Sequence, residues 1–129
     1  MKPSRLFFIA CFAIPFAGLL QVQPPTLDEF WKQWHQRNLD LTTKEGLRFI
    51  RANAIQWKPS IITDMVRDAK VHAEESEGRT MTYSIAILNM PDRKGCKAVI
   101  LKLENSTDED THKIASDFQA DIKDVEAGR

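Results

Sequence analysis

The sequence predicts an α+β fold: three N-terminal helices, a β-hairpin and a C-terminal helix, in a single small domain over residues 26–126. Three observations lead there. Apolar residues recur at spacings of three and four between residues 27 and 73, and again after residue 110. Two runs rich in β-branched and apolar residues, TMTYSIAIL (80–88) and CKAVILKL (96–103), flank the turn-forming cluster NMPDRKG. Cys11 and Cys96 are the only cysteines, so packing rather than a disulfide framework must hold the domain.

Ahead of the domain, Lys2 and Arg5 introduce an uncharged run from Leu6 to Leu20. This is the layout of a secretory signal, read as residues 1–20. A helix of that length spans roughly 22 Å, short of the about 30 Å hydrocarbon core, and Pro15 interrupts it. The expectation is a cleaved signal and a secreted product, extracellular or periplasmic, starting between about residues 18 and 24. Cys96 is then the only thiol of the mature chain.

Pro24-Pro25 is an extended linker, and Thr26-Leu27-Asp28-Glu29 has the form of a capping box. Leu27, Phe30, Trp31, Trp34, Asn38 and Leu41 then give the first helical stripe. Thr42-Thr43-Lys44-Glu45 is a second box, followed by Leu47, Ile50, Ala54 and Trp57 and closed by Pro59. Gly46 in its first turn weakens this helix by about 1 kcal/mol relative to alanine. Ser60 can cap a third helix through Ile61, Ile62, Met65, Val66, Ala69 and Ala73, ending before Gly78. Residues 61–73 also alternate. That leaves an alternative in which they form a further strand and the helices pack on a larger curved antiparallel sheet. In the hairpin, Val99, Leu101 and Leu103 share the core side, while Cys96, Ala98, Ile100 and Lys102 share the less buried one. Ser106-Thr107-Asp108-Glu109 is a third box, and Thr111, Ile114, Phe118, Ile122 and Val125 mark one face of the closing helix. The core expected from these elements contains Trp31, Trp34, Ile50, Trp57, Ile85, Val99, Leu101, Phe118 and Ile122. The stretch from Ala98 to Val125 is similar in outline to half of a subtilisin-propeptide-type inhibitor; no specific motif accompanies it, and no function is carried over.

Charge bounds the partners. The chain holds 18 basic and 18 acidic residues, and loss of Lys2 and Arg5 with the signal leaves 16 against 18. No whole-chain field points to nucleic acid. The distribution is uneven: residues 104–129 hold 8 acidic and 3 basic side chains.

No GxSxG, P-loop or GxGxxG pattern occurs, and five glycines offer little for phosphate-cradling loops. His35, His72 and His112 lie on different predicted helices without ligand spacing, so neither a metal nor a cofactor is expected. Asp108-Glu109-Asp110 lacks the glycine and alternating ligands of a calcium loop.

The candidate binding surface combines Trp31 and Trp34, as an aromatic groove, with Lys44, Arg48 and Arg51. These three form a basic stripe that Arg67 and Lys70 could extend. Asn105-Ser106-Thr107 is an N-glycosylation sequon. Cys96, flanked by Arg93, Lys94 and Lys97, is a candidate intermolecular thiol. The expected function is a secreted small non-catalytic binding or effector-like protein, a monomer or a Cys96-linked dimer, acting on an extracellular protein or small ligand. Membrane contact is expected only through an uncleaved signal. The alternative is a small secreted enzyme whose site is assembled in space.

Overall fold

A computed structural model describes residues 23–128; the expected signal at residues 1–20 lies outside them. Among the described residues the protein is all-helical, without a strand. The elements are α1 (Leu27–Gln36), α2 (Lys44–Ala54), α3 (Ile61–Val71), a 3-10 turn (Ala73–Glu75), α4 (Ser76–Leu88), α5 (Arg93–Glu104) and α6 (Glu109–Glu126). The expected α+β class is therefore corrected. Both hairpin strands are helices, and residues 61–71 are helical too, which also removes the curved-sheet alternative and the propeptide-like outline.

The position of α4 explains the first correction. It packs against α2, α3, α5 and α6 and buries Arg79, Thr80, Thr82, Tyr83, Ser84, Ala86 and Ile87. A helix covered on most sides needs no polar face, so its sequence lacks a one-sided stripe and resembles a buried strand. The β-branched content of TMTYSIAIL reports burial rather than a backbone preference.

In the second run the period is helical. Cys96 and Ile100, four apart, are fully buried, whereas Leu101 is 58% exposed. That reverses the sides expected of a strand. Between the two helices, the Asp92 side chain accepts a hydrogen bond from the Gly95 backbone N–H at 2.8 Å. The cluster NMPD thus ends one helix and caps the next. Gly95 is required by close approach, since a Cβ there would stand 2.8 Å from Pro59 Cγ.

Three of the four capping signals in the sequence hold to within a residue or two; Ser60 stands at the start of α3 but makes no side-chain cap hydrogen bond. The first box forms as read: the Glu29 N–H donates to Thr26 Oγ1 at 3.1 Å and the Thr26 N–H to Glu29 Oε1 at 3.0 Å. At α2 the cap is Thr43 rather than Thr42, accepting from the Gly46 N–H at 3.0 Å. Gly46 has its own reason, because a Cβ there would collide with the Asp40 carbonyl. At α6 the cap is Asp108, which accepts from the Thr111 N–H at 3.0 Å, while Ser106 Oγ holds the Asp108 N–H. Asp108 also takes Lys70 Nζ at 2.7 Å. That bond, with those from Thr111, holds its carboxyl down to about 2.

The core gathers Phe30, Ile50, Ile62, Met65, Tyr83, Ile87, Cys96, Ile100, Phe118 and Ile122. Of the residues expected there, Trp31, Trp34, Ile50, Trp57, Phe118 and Ile122 are buried, Ile85 and Val99 lie at its edge, and Leu101 is outside. The two assignments of residues 96–103 separate by mutation. Ile100→Ala should destabilise by about 2–5 kcal/mol, and Leu101→Ala should change stability by less than about 0.5 kcal/mol. Urea unfolding measures both, and the hairpin demands the opposite order.

Candidate functional site

The outward face of α2 carries the basic stripe. The helix turns Gly46, Phe49, Ile50, Asn53 and Ala54 inward. Lys44, Leu47, Arg48, Arg51 and the C-cap Ile55, at spacings of three and four, therefore share the outer side. Leu47 is 41% and Ile55 58% exposed, among exposed cations. None of Lys44, Arg48 and Arg51 is in an ion pair among the described residues. Arg51 Nε donates to Asn89 Oδ1 at 3.3 Å. Arg37 lies 5.1 Å from the centre of the Phe49 ring and adds a cation at the flank. Arg67 and Lys70 do not extend the stripe as free charges. Arg67 pairs with Asp64 at 2.8 Å and Lys70 with Asp108 at 2.7 Å.

Trp31 and Trp34 lie elsewhere, and inside. They are 9% and 8% exposed and meet the Phe30 ring at 5.0 and 5.8 Å between centroids. Phe49 and Trp57 close the cluster at 5.2 and 5.6 Å from Phe30. This aromatic cluster fastens α1 to α2. Only a shallow recess of about 310 Å³, shared with His35, Glu75 and Arg79, opens along its edge. The structure thus separates the tryptophans from the basic stripe.

A buried charge network went unread in the sequence. Asp68 Oδ2 accepts from Arg79 NH1 at 2.8 Å and from the Tyr83 hydroxyl in a very short contact. Its other oxygen faces His72 Nδ1 at 3.2 Å. Arg79 also reaches Glu75 at 3.2 Å and places its guanidinium 4.4 Å from the Trp31 ring centre. Trp31 Nε1 in turn donates to the Tyr83 hydroxyl at 2.7 Å. Burial, then the Asp68 bond, pushes the Tyr83 pKa well above the ordinary phenol range. Burial opposes charge on Arg79, but the Asp68 hydrogen bond and charge outweigh it and raise its pKa. The signal was the i,i+4 pair Arg79 and Tyr83, hidden while the run was read as a strand.

Beside this network runs a groove of about 650 Å³ between α3 and the Pro24–Leu27 segment, with His72 on its wall. Trp57 Nε1 donates to the Pro25 carbonyl at 2.7 Å and pins that segment. His72 is held by Asp68 and, among the described residues, hydrogen-bonds to no hydroxyl or thiol. His35 stacks on Trp31, and His112 Nδ1 meets the Glu104 carbonyl. Among the described residues no group of three or more His, Cys, Asp or Glu side chains could hold a metal. No helix among them is long and apolar enough to cross a membrane.

Cys96 is the clearest displacement of a candidate. Its side chain is fully buried, with Sγ 4.0 Å from Met90 Sδ. Burial, and secondarily Asp92, pushes the thiol up to about 11 despite Arg93. A bridge to another chain would require the start of α5 to open. Asn105 is exposed at the C-cap of α5, so its sequon lies in a helix–helix turn rather than a strand-to-helix turn.

Two measurements follow from this geometry. Replacing Asp68 by Ala leaves buried Arg79 with Glu75 as its one carboxylate and the Tyr83 hydroxyl without its acceptor, and should cost about 3 kcal/mol of stability, read from urea or thermal unfolding. The Cys96 thiol should resist iodoacetamide in native buffer and react once denaturant unfolds the domain. Rapid labelling of the native protein would contradict the enclosed position.

No protein-family model, curated protein or solved structure matches this chain.

Proposed function

We propose that the protein is a small non-catalytic binding protein, exported as its N-terminal sequence predicts, that meets an anionic partner through the outer face of α2. One observation carries this reading. Lys44, Arg48 and Arg51 stand side by side on one helix face without a carboxylate partner among the described residues; Lys32, Arg37, Lys58, Lys94, Lys102 and Lys123 also lack one there, but no other helix carries three such cations. Like charges four apart destabilise a helix by about 0.2–0.5 kcal/mol, so the arrangement is not explained by stability. The field supports it too. The C-terminal acidic residues concentrate on α6, whose main packing partners are α3, α4 and α5.

The alternative, a small enzyme, has its own observation in the His72–Asp68 pair beside the groove. Asp68 is already shared with Arg79 and Tyr83, and no nucleophile touches His72, so this pair supports catalysis less well than the α2 face supports binding.

Heparin, a sulfated polyanion, tests the surface. The protein should be retained on immobilised heparin at low salt and released as salt rises. The triple change Lys44→Glu, Arg48→Glu and Arg51→Glu should abolish retention. Equal charge reversal at Lys94, Lys102 and Lys123 should leave most of it. Flow-through of the unaltered protein, or equal loss in both variants, overturns the reading.

A further inference from the structure

We infer that the outer face of α2 is built to lie on an anionic lipid bilayer, with Leu47 and Ile55 entering the interface between Lys44, Arg48 and Arg51. This deepens the reading of the same surface and rests on it. Charge alone would suit any polyanion; the two aliphatic side chains narrow the choice. Leu47 and Ile55 are two of six large hydrophobic side chains left exposed in the domain, and both fall within the cationic face. A helix rises about 1.5 Å per residue, so positions 44 to 55 cover roughly 17 Å, a length that a flat surface can contact along one side.

A nucleic acid or a sulfated glycan has no use for exposed leucine and isoleucine. Single-stranded nucleic acid, in particular, is held by aromatic stacking. The aromatic residues that could stack, Trp31, Trp34 and Phe49, are turned into the core. An anionic bilayer answers both kinds of group at once. Its headgroups take the cations, and the boundary of its acyl chains takes the aliphatic side chains.

The surroundings of the face agree. Arg37, anchored over the Phe49 ring, adds a cation at one flank. Glu45 is the acid in the first turn, where it serves the helix dipole. Burial of the inner face of α2 is complete without a bilayer, with Ile50 and Ala54 at 0% exposure. The outer residues are therefore free to contact lipid while the fold stays intact.

The test is sedimentation of the full chain with vesicles of phosphatidylglycerol and phosphatidylcholine, against vesicles of phosphatidylcholine alone as background. Binding above that background should require phosphatidylglycerol and should fall with salt. Each of Lys44→Gln, Arg48→Gln and Arg51→Gln should weaken it about five-fold. The double change Leu47→Ser and Ile55→Ser should weaken it about ten-fold or more, while heparin retention stays unchanged. All these positions are exposed, and an unaltered unfolding midpoint verifies that each variant is folded. Retention on heparin without phosphatidylglycerol-dependent binding overturns the bilayer and leaves the anionic-partner reading standing. Loss of both overturns both. Vesicle binding indifferent to Leu47 and Ile55 also overturns the bilayer proposal, because it reduces the contact to charge.

Discussion

On its packed sides a helix has no solvent for polar groups, and α4 brings Arg79, Thr82, Tyr83 and Ser84 into that position. The rest of the structure is arranged to answer them. Asp68 of α3 receives both Arg79 and Tyr83, Thr82 Oγ1 donates to the Gly78 carbonyl at 2.9 Å, and Ser84 Oγ reaches Asp121 of α6 at 2.7 Å. Trp31 of α1 completes the set through its indole N–H and its ring face. Thr82 is satisfied within α4, but Asp68, Asp121 and Trp31 come from three other helices, so satisfying α4 also orders its neighbours. Such a buried pair adds little net stability relative to apolar packing, but a misplaced neighbour leaves a charge stranded. The network therefore acts on which arrangement is allowed more than on how stable it is.

The aromatic cluster has the complementary task. α1 has a short helical span, and isolated helices of its length are marginal in water. Phe30, Trp31 and Trp34 hold it by apolar area and ring geometry rather than by backbone contacts. Trp57 ties the chain ahead of α1 through the Pro25 carbonyl. The tryptophans are thus spent on assembly, which explains why the surface of α2 is basic and aliphatic and not aromatic.

That division separates structure from recognition. The inner side of α2 is determined by packing against α4 and the aromatic cluster. The outer side is exposed apart from partly covered Leu47 and the bond from Arg51 to Asn89, so folding constrains its composition less. Cations crowded on it, with aliphatic residues between them, are consistent with a surface shaped by a partner. Other cations have structural work: Arg93 and Lys97 share Glu126 at 3.0 and 2.9 Å and join α5 to the end of α6.

How much was legible in the sequence follows from how local each signal is. The helices α1, α2, α3 and α6 each have one apolar side, and a one-sided stripe of period 3.6 specifies both state and orientation without knowledge of the neighbours. The caps of α1, α2 and α6 are equally local, since a hydroxyl or carboxylate reaches only two or three residues along the chain. The basic stripe was readable for the same reason: Lys44, Arg48 and Arg51 share a face as soon as α2 is a helix.

What only the tertiary structure decided is α4, α5 and everything that depends on them. TMTYSIAIL carries apolar or small residues nearly all round because four helices cover it, and a segment without a polar side has no period to read. CKAVILKL alternates and repeats every four at once, so the choice between Cys96 with Ile100 and Val99 with Leu101 waited on which side met α6. The burial of Cys96 followed from that choice, and the meeting of Asp68 with Arg79 from α4 being a helix. The reason is physical: propensity differs by about a kilocalorie per residue or less, whereas burying a large side chain contributes about 1.5–3 kcal/mol, so the neighbours win.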